Sequence, residues 1–372
     1  MTTETLRRIL MTADAVGGIW PYALDLARGL AAQGVQTVLA VSGPPPEAAQ
    51  TADASAVPGL VLRRLALPLD WLAERPAEVV VAGQTIAAVA TQEGVDLVQL
   101  NSPALAAGIS FPVAVVGVCH SCVATWWQRM RGTPLPEDFA WRSALVAKGY
   151  AACDALVAPT TAFAVATAQA YCLATPPRVV HNGRQPPADT TICQADFVFT
   201  AGRLWDEGKD LATLDRAAAR LPMPVIAAGP VEGPNGTRLR ARHLRLLGRL
   251  DAAEVSSILA RGPIFVSTAC YEPFGLAVLE AAQAGCVLVL SDIPSFRELW
   301  DGAAVFVPPM HDAALAEAIF NLVQDREGRT ALSCAARERG RRYDFKKMAA
   351  GMLNVYRSLV QLTHAVPPGH AA

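Results

Sequence analysis

Residues 8 to 41 read as a short apolar strand (8 to 11), a glycine-containing loop (12 to 18), an amphipathic helix (21 to 33) and a second apolar strand (37 to 41). That alternation restricts the fold more than any other feature, because consecutive strands joined through a helix pair side by side and parallel. Further apolar runs at 60 to 65, 97 to 100, 113 to 118 and 155 to 158, separated by helical segments, predict a doubly wound sheet. A proline-rich stretch, 175 to 187, then breaks the pattern and has the composition of an interdomain connection. Beyond it the alternation restarts, with strands expected at 197 to 200, 224 to 228, 264 to 266, 287 to 290 and 305 to 307 and helices at 210 to 220, 252 to 261, 276 to 284 and 313 to 324. With 372 residues and 52% hydrophobic content, the chain exceeds what one core organises. The expected class is α/β, two doubly wound domains in tandem with a cleft between the carboxyl ends of their sheets, where such sheets bind ligands.

A formal net charge of −1 argues against a nucleic-acid partner, which needs a basic surface to neutralise phosphates. Arg337, Arg339, Arg341, Arg342, Lys346 and Lys347 form a local basic cluster, read as a solvated helix face with a weak attraction for anionic headgroups as the alternative. Eight cysteines at irregular positions indicate neither a zinc ribbon nor a dithiol redox motif, and point to reduced, mostly buried thiols in the cytosol. The first ten residues lack the pattern of a signal peptide, and no run of about eighteen apolar residues reads as a membrane span. A cytoplasmic protein is expected, peripheral at the inner face of the membrane if its substrate is lipid-linked. The last six residues, 367 to 372, read as a disordered tail.

Chemistry concentrates in a few short stretches. In Tyr-Glu-Pro-Phe-Gly-Leu, residues 271 to 276, Pro273 disfavours helix at Glu272, so a helix is expected from near Gly275 toward Gly285. Its first amides, at Phe274, Gly275 and Leu276, suit a pyrophosphate, and Glu272 and Glu280 flank that position. The competing reading makes Glu272 an exposed loop residue and Glu280 a solvated helix position. Arg203 and Lys209 lie between a strand and a helix, where two cations can neutralise a diphosphate leaving group; otherwise they are surface charges paired with Asp206 and Glu207. Gly17 and Gly18 follow the first strand without the Gly-x-Gly-x-x-Gly spacing of a dinucleotide site. His120 ends a strand, and Trp126 and Trp127 follow it, as core residues or as a stacking surface for an acceptor. No Asp-x-Asp and no cluster with metal-ligand spacing occurs, so no metal is expected; the hydrolase elbow and the Walker loop are absent too.

The Glu-x7-Glu spacing across Pro-Phe-Gly resembles the motif of retaining glycosyltransferases of family 4. The Gly17-Gly18 loop, the strand end at His120, the Asn-Gly turn at 182 and 183, the Gly-Arg-Leu…Lys loop and the long last helix follow in family order. Two departures stand out: Gly208 precedes Lys209 where many members place the glycine after the lysine, and His181 replaces a more frequent proline. The resemblance implies a GT-B architecture of two Rossmann-like domains. Its parts would be residues 1–184 on the acceptor side, 185–343 binding the nucleotide sugar, and 344–372 as a helix returning to the first domain. It also implies that Glu272 contacts the donor sugar, Glu280 holds the ribose hydroxyls, His120 faces the sugar, Gly17 and Gly18 face the diphosphate and acceptor, and Arg184 lines the cleft. A nucleoside diphosphate sugar would be the donor and a hydroxyl the acceptor, with no cofactor. The anomeric configuration would be retained by front-face attack, the leaving diphosphate taking the acceptor's proton. A nucleotide-sugar 2-epimerase of the same architecture and a non-catalytic nucleotide-sugar-binding protein are the alternatives.

Overall fold

Residues 6–187, 194–234 and 236–365 are described here by a computed structural model; the chain's first five residues and the tail at 367 to 372 lie outside them. The chain divides into two compact units, one comprising residues 1–128, 132–183 and 345–372, the other 129–131 and 184–344.

The first unit holds seven strands: β1 (Arg8–Asp14), β2 (Gln36–Ser42), β3 (Leu60–Arg64), β4 (Leu97–Leu100), β5 (Val115–Val118), β6 (Ala155–Ala158) and β7 (Arg178–Val179). They are all parallel, in the order β3-β2-β1-β4-β5-β6-β7. The order reverses between β1 and β4, so the connections leaving their carboxyl ends run to opposite faces and open a crevice there. Strands in a sheet covered on both faces must be apolar throughout, as Leu10, Val38 and Val98 show by complete burial. Each such side chain contributes roughly 1.5–3 kcal/mol. The last helix, Phe345–Ala365, packs on the first, Ile19–Ala31. Gly29 permits that approach, since a Cβ there would stand 2.4 Å from the Ala349 methyl.

The second unit has six parallel strands: β8 (Val198–Ala201), β9 (Val225–Ala228), β10 (Arg245–Gly248), β11 (Ile264–Ser267), β12 (Val287–Ser291) and β13 (Val305–Val307). Their order is β10-β9-β8-β11-β12-β13, with its reversal between β8 and β11. One core face centres on Phe199, Phe265, Phe296 and Trp300, with Phe199 and Phe265 meeting edge to face at 6.2 Å.

Several sequence expectations need correction. Thr12, Ala13 and Asp14 belong to β1 rather than to a loop, because the pairing of β1 with β2 continues to Asp14–Ser42. The first helix begins at Ile19, two residues before Pro21, which is tolerated in a first turn whose amides have no internal partner. Part of the proline-rich stretch is structural, as Arg178–Val179 adds a strand beside β6. The helix Arg326–Gly340 escaped notice because its buried positions are Arg329, Ser333, Ala336 and Gly340, a helical spacing carried by a charge and small residues. Arg329 is tolerated there through hydrogen bonds to Asp196 and to the carbonyls of Ala195 and Gly262. Nor is the basic cluster simply a solvated face, since Arg339 donates at 2.9 Å to the carbonyls of both Leu299 and Asp301.

Candidate functional site

In the second unit, the segment after β8 carries Arg203 and Lys209 and the segment after β11 carries Glu272, so the two chemistry-bearing loops leave the pair of strands where the sheet order reverses. Lys209 Nζ donates to Glu272 Oε2, and both side chains are largely buried. Secondary bonds fix the loops against each other. Thr268 Oγ1 lies 2.9 and 3.0 Å from the carbonyls of Lys209 and Asp210, and the Cys270 and Tyr271 amides donate to the Gly208 carbonyl at 2.9 and 3.1 Å. Gly208 therefore serves as a backbone acceptor, and its position ahead of Lys209 leaves the ammonium aimed at Glu272. Asp210 takes a left-handed φ of 47° and caps the next helix through Thr213, while burial raises its carboxyl above the ordinary range.

Arg203 bonds Asp206 at 2.9 Å and remains 42% exposed, so for this residue the surface-pair reading describes its present partner. The helix Leu276–Gln283 starts one residue after Gly275, whose φ of 90° turns the chain, and no side chain caps its amides. The Phe274 ring is buried against Tyr343 at 5.9 Å, which leaves its main chain as the part that can face a phosphate, as the expected role of its amide requires. Glu280, on the same helix, pairs with Arg184 Nε at 2.8 Å. The sequence reading kept those two residues apart, and it missed Thr268 and also Ser295, whose hydroxyl donates to the Glu272 carbonyl.

In the first unit, Gly17 and Gly18 follow β1, and Gly18 takes a helical conformation as the residue before the helix. His120 lies just beyond β5, its ring edge-on to Tyr22 at 4.5 Å and its Nε2 3.0 Å from Asn101 Oδ1. Trp126 and Trp127 are half-buried on the helix Val123–Arg131, with ring centres 6.2 Å apart and Trp127 also 5.8 Å from Phe139. They therefore form part of a local aromatic cluster as well as a surface. Cys119 and Cys122 have a Cys-x-x-Cys spacing, contrary to the expectation that no dithiol pattern exists. Both are thiols. Burial pushes the Cys119 thiol up to about 12, so it lacks the environment of a reactive thiolate, and Cys122 Sγ accepts from the Thr125 amide as a helix cap.

Burial pushes the His120 imidazole down to about 4 from 6.5. Between those values the unfolded chain holds the proton and the folded one does not, so the associated stability is complete above pH 6.5 and lost as the pH falls toward 4. Removing the titration by His120→Gln should flatten the acid limb of urea-measured stability by on the order of 3 kcal/mol. Parallel pH profiles for the two proteins would contradict it.

Among the described residues no group of three or more His, Cys, Asp or Glu is placed to hold a metal ion, and no helix is long and apolar enough to cross a membrane.

Residues 16–186 match the family model described as Glycosyltransferase Family 4, and residues 195–339 match Glycosyl transferases group 1. The phosphatidyl-myo-inositol mannosyltransferase of Mycolicibacterium smegmatis is 34% identical over 122 residues, 32% of either chain. That of Mycobacterium tuberculosis is 28% identical over 181 residues, 45% of this chain and 48% of its own. The matched segments thus span about a third to a half of those relatives' length. Among solved structures, sucrose-phosphate synthase from Thermosynechococcus elongatus superposes with a TM-score of 0.76 at 19% identity, covering 97% of this chain and all of that one. Anabaena HepE in complex with UDP-glucose does so at 0.70 and 18% identity, over 95% of this chain and 100% of its own. At such identities they establish the fold, two Rossmann-like domains of the GT-B type.

Proposed function

The chain belongs to the family 4 and group 1 glycosyltransferases, and on that premise we propose that it moves a sugar from a nucleoside diphosphate sugar to a hydroxyl acceptor in glycoconjugate biosynthesis. The observation that carries this reading is the Lys209–Glu272 pair at the strand-order reversal of the second sheet, beside the uncapped helix start at Gly275. A diphosphate on those amides would be stabilised by the positive end of the helix and by Lys209 as its charge grows, an interaction stronger in the transition state than before it. Arg203 can join by exchanging Asp206 for phosphate. Glu272 is assigned to the donor sugar and Glu280 to the ribose. His120, just beyond β5, is assigned to the sugar, Gly17 and Gly18, after β1, to the diphosphate and acceptor, and Trp126 and Trp127 to acceptor stacking. Retention of configuration, with the leaving diphosphate as base, goes with this set because no separate base is assigned. The relatives named for phosphatidyl-myo-inositol and mannose make a mannosyl donor with an inositol-lipid acceptor the first pair to assay. A cytoplasmic site of action, at the membrane face if the acceptor is a lipid, is supported by the cysteines among the described residues being thiols.

A thermal-shift panel of nucleoside diphosphates and their sugars, followed by an assay of diphosphate release with and without acceptor, tests the reading. Saturating donor should stabilise the protein by a few kcal/mol, and release should depend on acceptor. Release independent of any acceptor, or interconversion of the sugar without release, would reject transfer.

Glu280→Ala should weaken nucleoside diphosphate binding by about 1.5–3 kcal/mol, the worth of a hydrogen bond to a charged group. Isothermal calorimetry with UDP and GDP checks this, and an unchanged dissociation constant would remove Glu280 from the ribose. Because Lys209, Arg203 and helix amides can neutralise the diphosphate without a bridging ion, turnover should persist in excess EDTA. Loss of activity restored by Mg²⁺ would overturn metal independence.

A further inference from the structure

Beneath His120 lies a directional chain of buried hydrogen bonds that the proposed reaction does not by itself require. Its fixed point is main chain: Asn101 Nδ2 donates to the Thr12 carbonyl at 2.6 Å, while the Asn101 amide donates to Thr12 Oγ1 at 2.9 Å. A carbonyl can only accept, so the nitrogen of the Asn101 side chain must face Thr12 and its oxygen must face the other way. That oxygen receives Gln99 Nε2 at 2.9 Å and lies 3.0 Å from His120 Nε2. The Gln99 orientation follows from this, because Asn101 Oδ1 can only accept: Gln99 Nε2 faces it and also reaches Tyr22 OH at 3.4 Å, which leaves Gln99 Oε1 to accept from Tyr356 OH. Since Asn101 Oδ1 has no proton to give, His120 Nε2 must carry one.

We propose that Asn101 is a positioning residue that holds His120 as its Nε2–H tautomer, leaving Nδ1 to accept a hydroxyl hydrogen of the donor sugar; the last clause rests on the assignment of His120 to the sugar. Among the described residues Nδ1 has no hydrogen-bond partner, and His120 as a residue is half-buried. The low basicity of the imidazole keeps it neutral at neutral pH, so the tautomer matters. Gln99 and Asn101 are 0% and 6% exposed. An amide flip at either would set donor against donor or oxygen against oxygen in a buried site. Tyr356 comes from the final helix, so a residue some 250 positions from Gln99 closes the chain.

Nitrogen-15 NMR of histidine-labelled full-length protein at neutral pH tests the lock without any substrate. The wild type should show His120 as a single Nε2–H tautomer whose proton exchanges with water at least tenfold more slowly than in Asn101→Ala. Tyr356→Phe, which keeps the ring in the core, should speed that exchange by a smaller factor and keeps the test available should Asn101→Ala fail to fold. A wild-type Nδ1–H tautomer, or a spectrum and exchange rate unaffected by both substitutions, would overturn the proposal. A locked tautomer in a protein inert toward every nucleotide sugar would instead reject the transferase assignment, and with it the role of Nδ1, while the lock stood.

Discussion

Lys209→Ala is expected to lower kcat by on the order of a hundredfold or more while the protein stays folded, the loss typical when a group that stabilises developing charge is removed. The substitution deletes the ammonium that pairs with Glu272 in the substrate-free protein and that would face the leaving diphosphate. The loop should hold its shape, because Thr268 bonds the Lys209 and Asp210 carbonyls and the Gly208 carbonyl accepts from Cys270 and Tyr271, none of which involves the lysine side chain. Arg203→Ala should cost less, since the more exposed Arg203 is engaged by Asp206 and must leave it to reach a phosphate. Steady-state kinetics, paired with a melting curve for each variant, decides the matter. Near-wild-type turnover in Lys209→Ala would show that the pair with Glu272 is structural and that the chemistry lies elsewhere.

The second large effect is on stability. Gly202 and Gly229 follow β8 and β9 with φ of 145° and 141°, and a Cβ on Gly229 would sit 1.8 Å from the Gly202 carbonyl oxygen. Gly229→Ala therefore combines a conformation unfavourable to L-residues with a collision against main chain that has no rotamer to yield. A loss of about 3 kcal/mol or more is expected. Gly202→Ala meets no atom within 4 Å and should suffer the conformational penalty alone, about 1–3 kcal/mol. Urea denaturation of both variants measures the difference. Equal losses would mean that the backbone separates readily there, and that the approach of the two strand ends does not hold the start of the Arg203–Lys209 loop.

The α/β class was legible because alternating apolar runs and amphipathic helices leave few arrangements that bury both, and the runs at Leu97–Leu100, Ala155–Ala158 and Val305–Val307 became strands with the expected bounds. The placement of Glu272 and Glu280 about a helix start and of Lys209 between strand and helix was likewise legible, because a proline-glycine turn ahead of a helix and cations between strand and helix are local patterns. Strand order was not, for nothing in β8 announces that β9 and β11 flank it, yet that order brings Lys209 to Glu272 across 63 positions. The partners Arg184 for Glu280, Asn101 for His120 and Tyr356 for Gln99 were hidden for the same reason. A polar Gln99 inside an otherwise apolar Leu-Val-Gln-Leu strand was the one sign of a buried network, and it does not say with whom the amide bonds. Periodicity and turn chemistry are properties of neighbouring residues, so the sequence by itself determined the elements and the residue types at their ends. Orientation, pairing and burial depend on which distant segments pack together, and only the tertiary structure decided those.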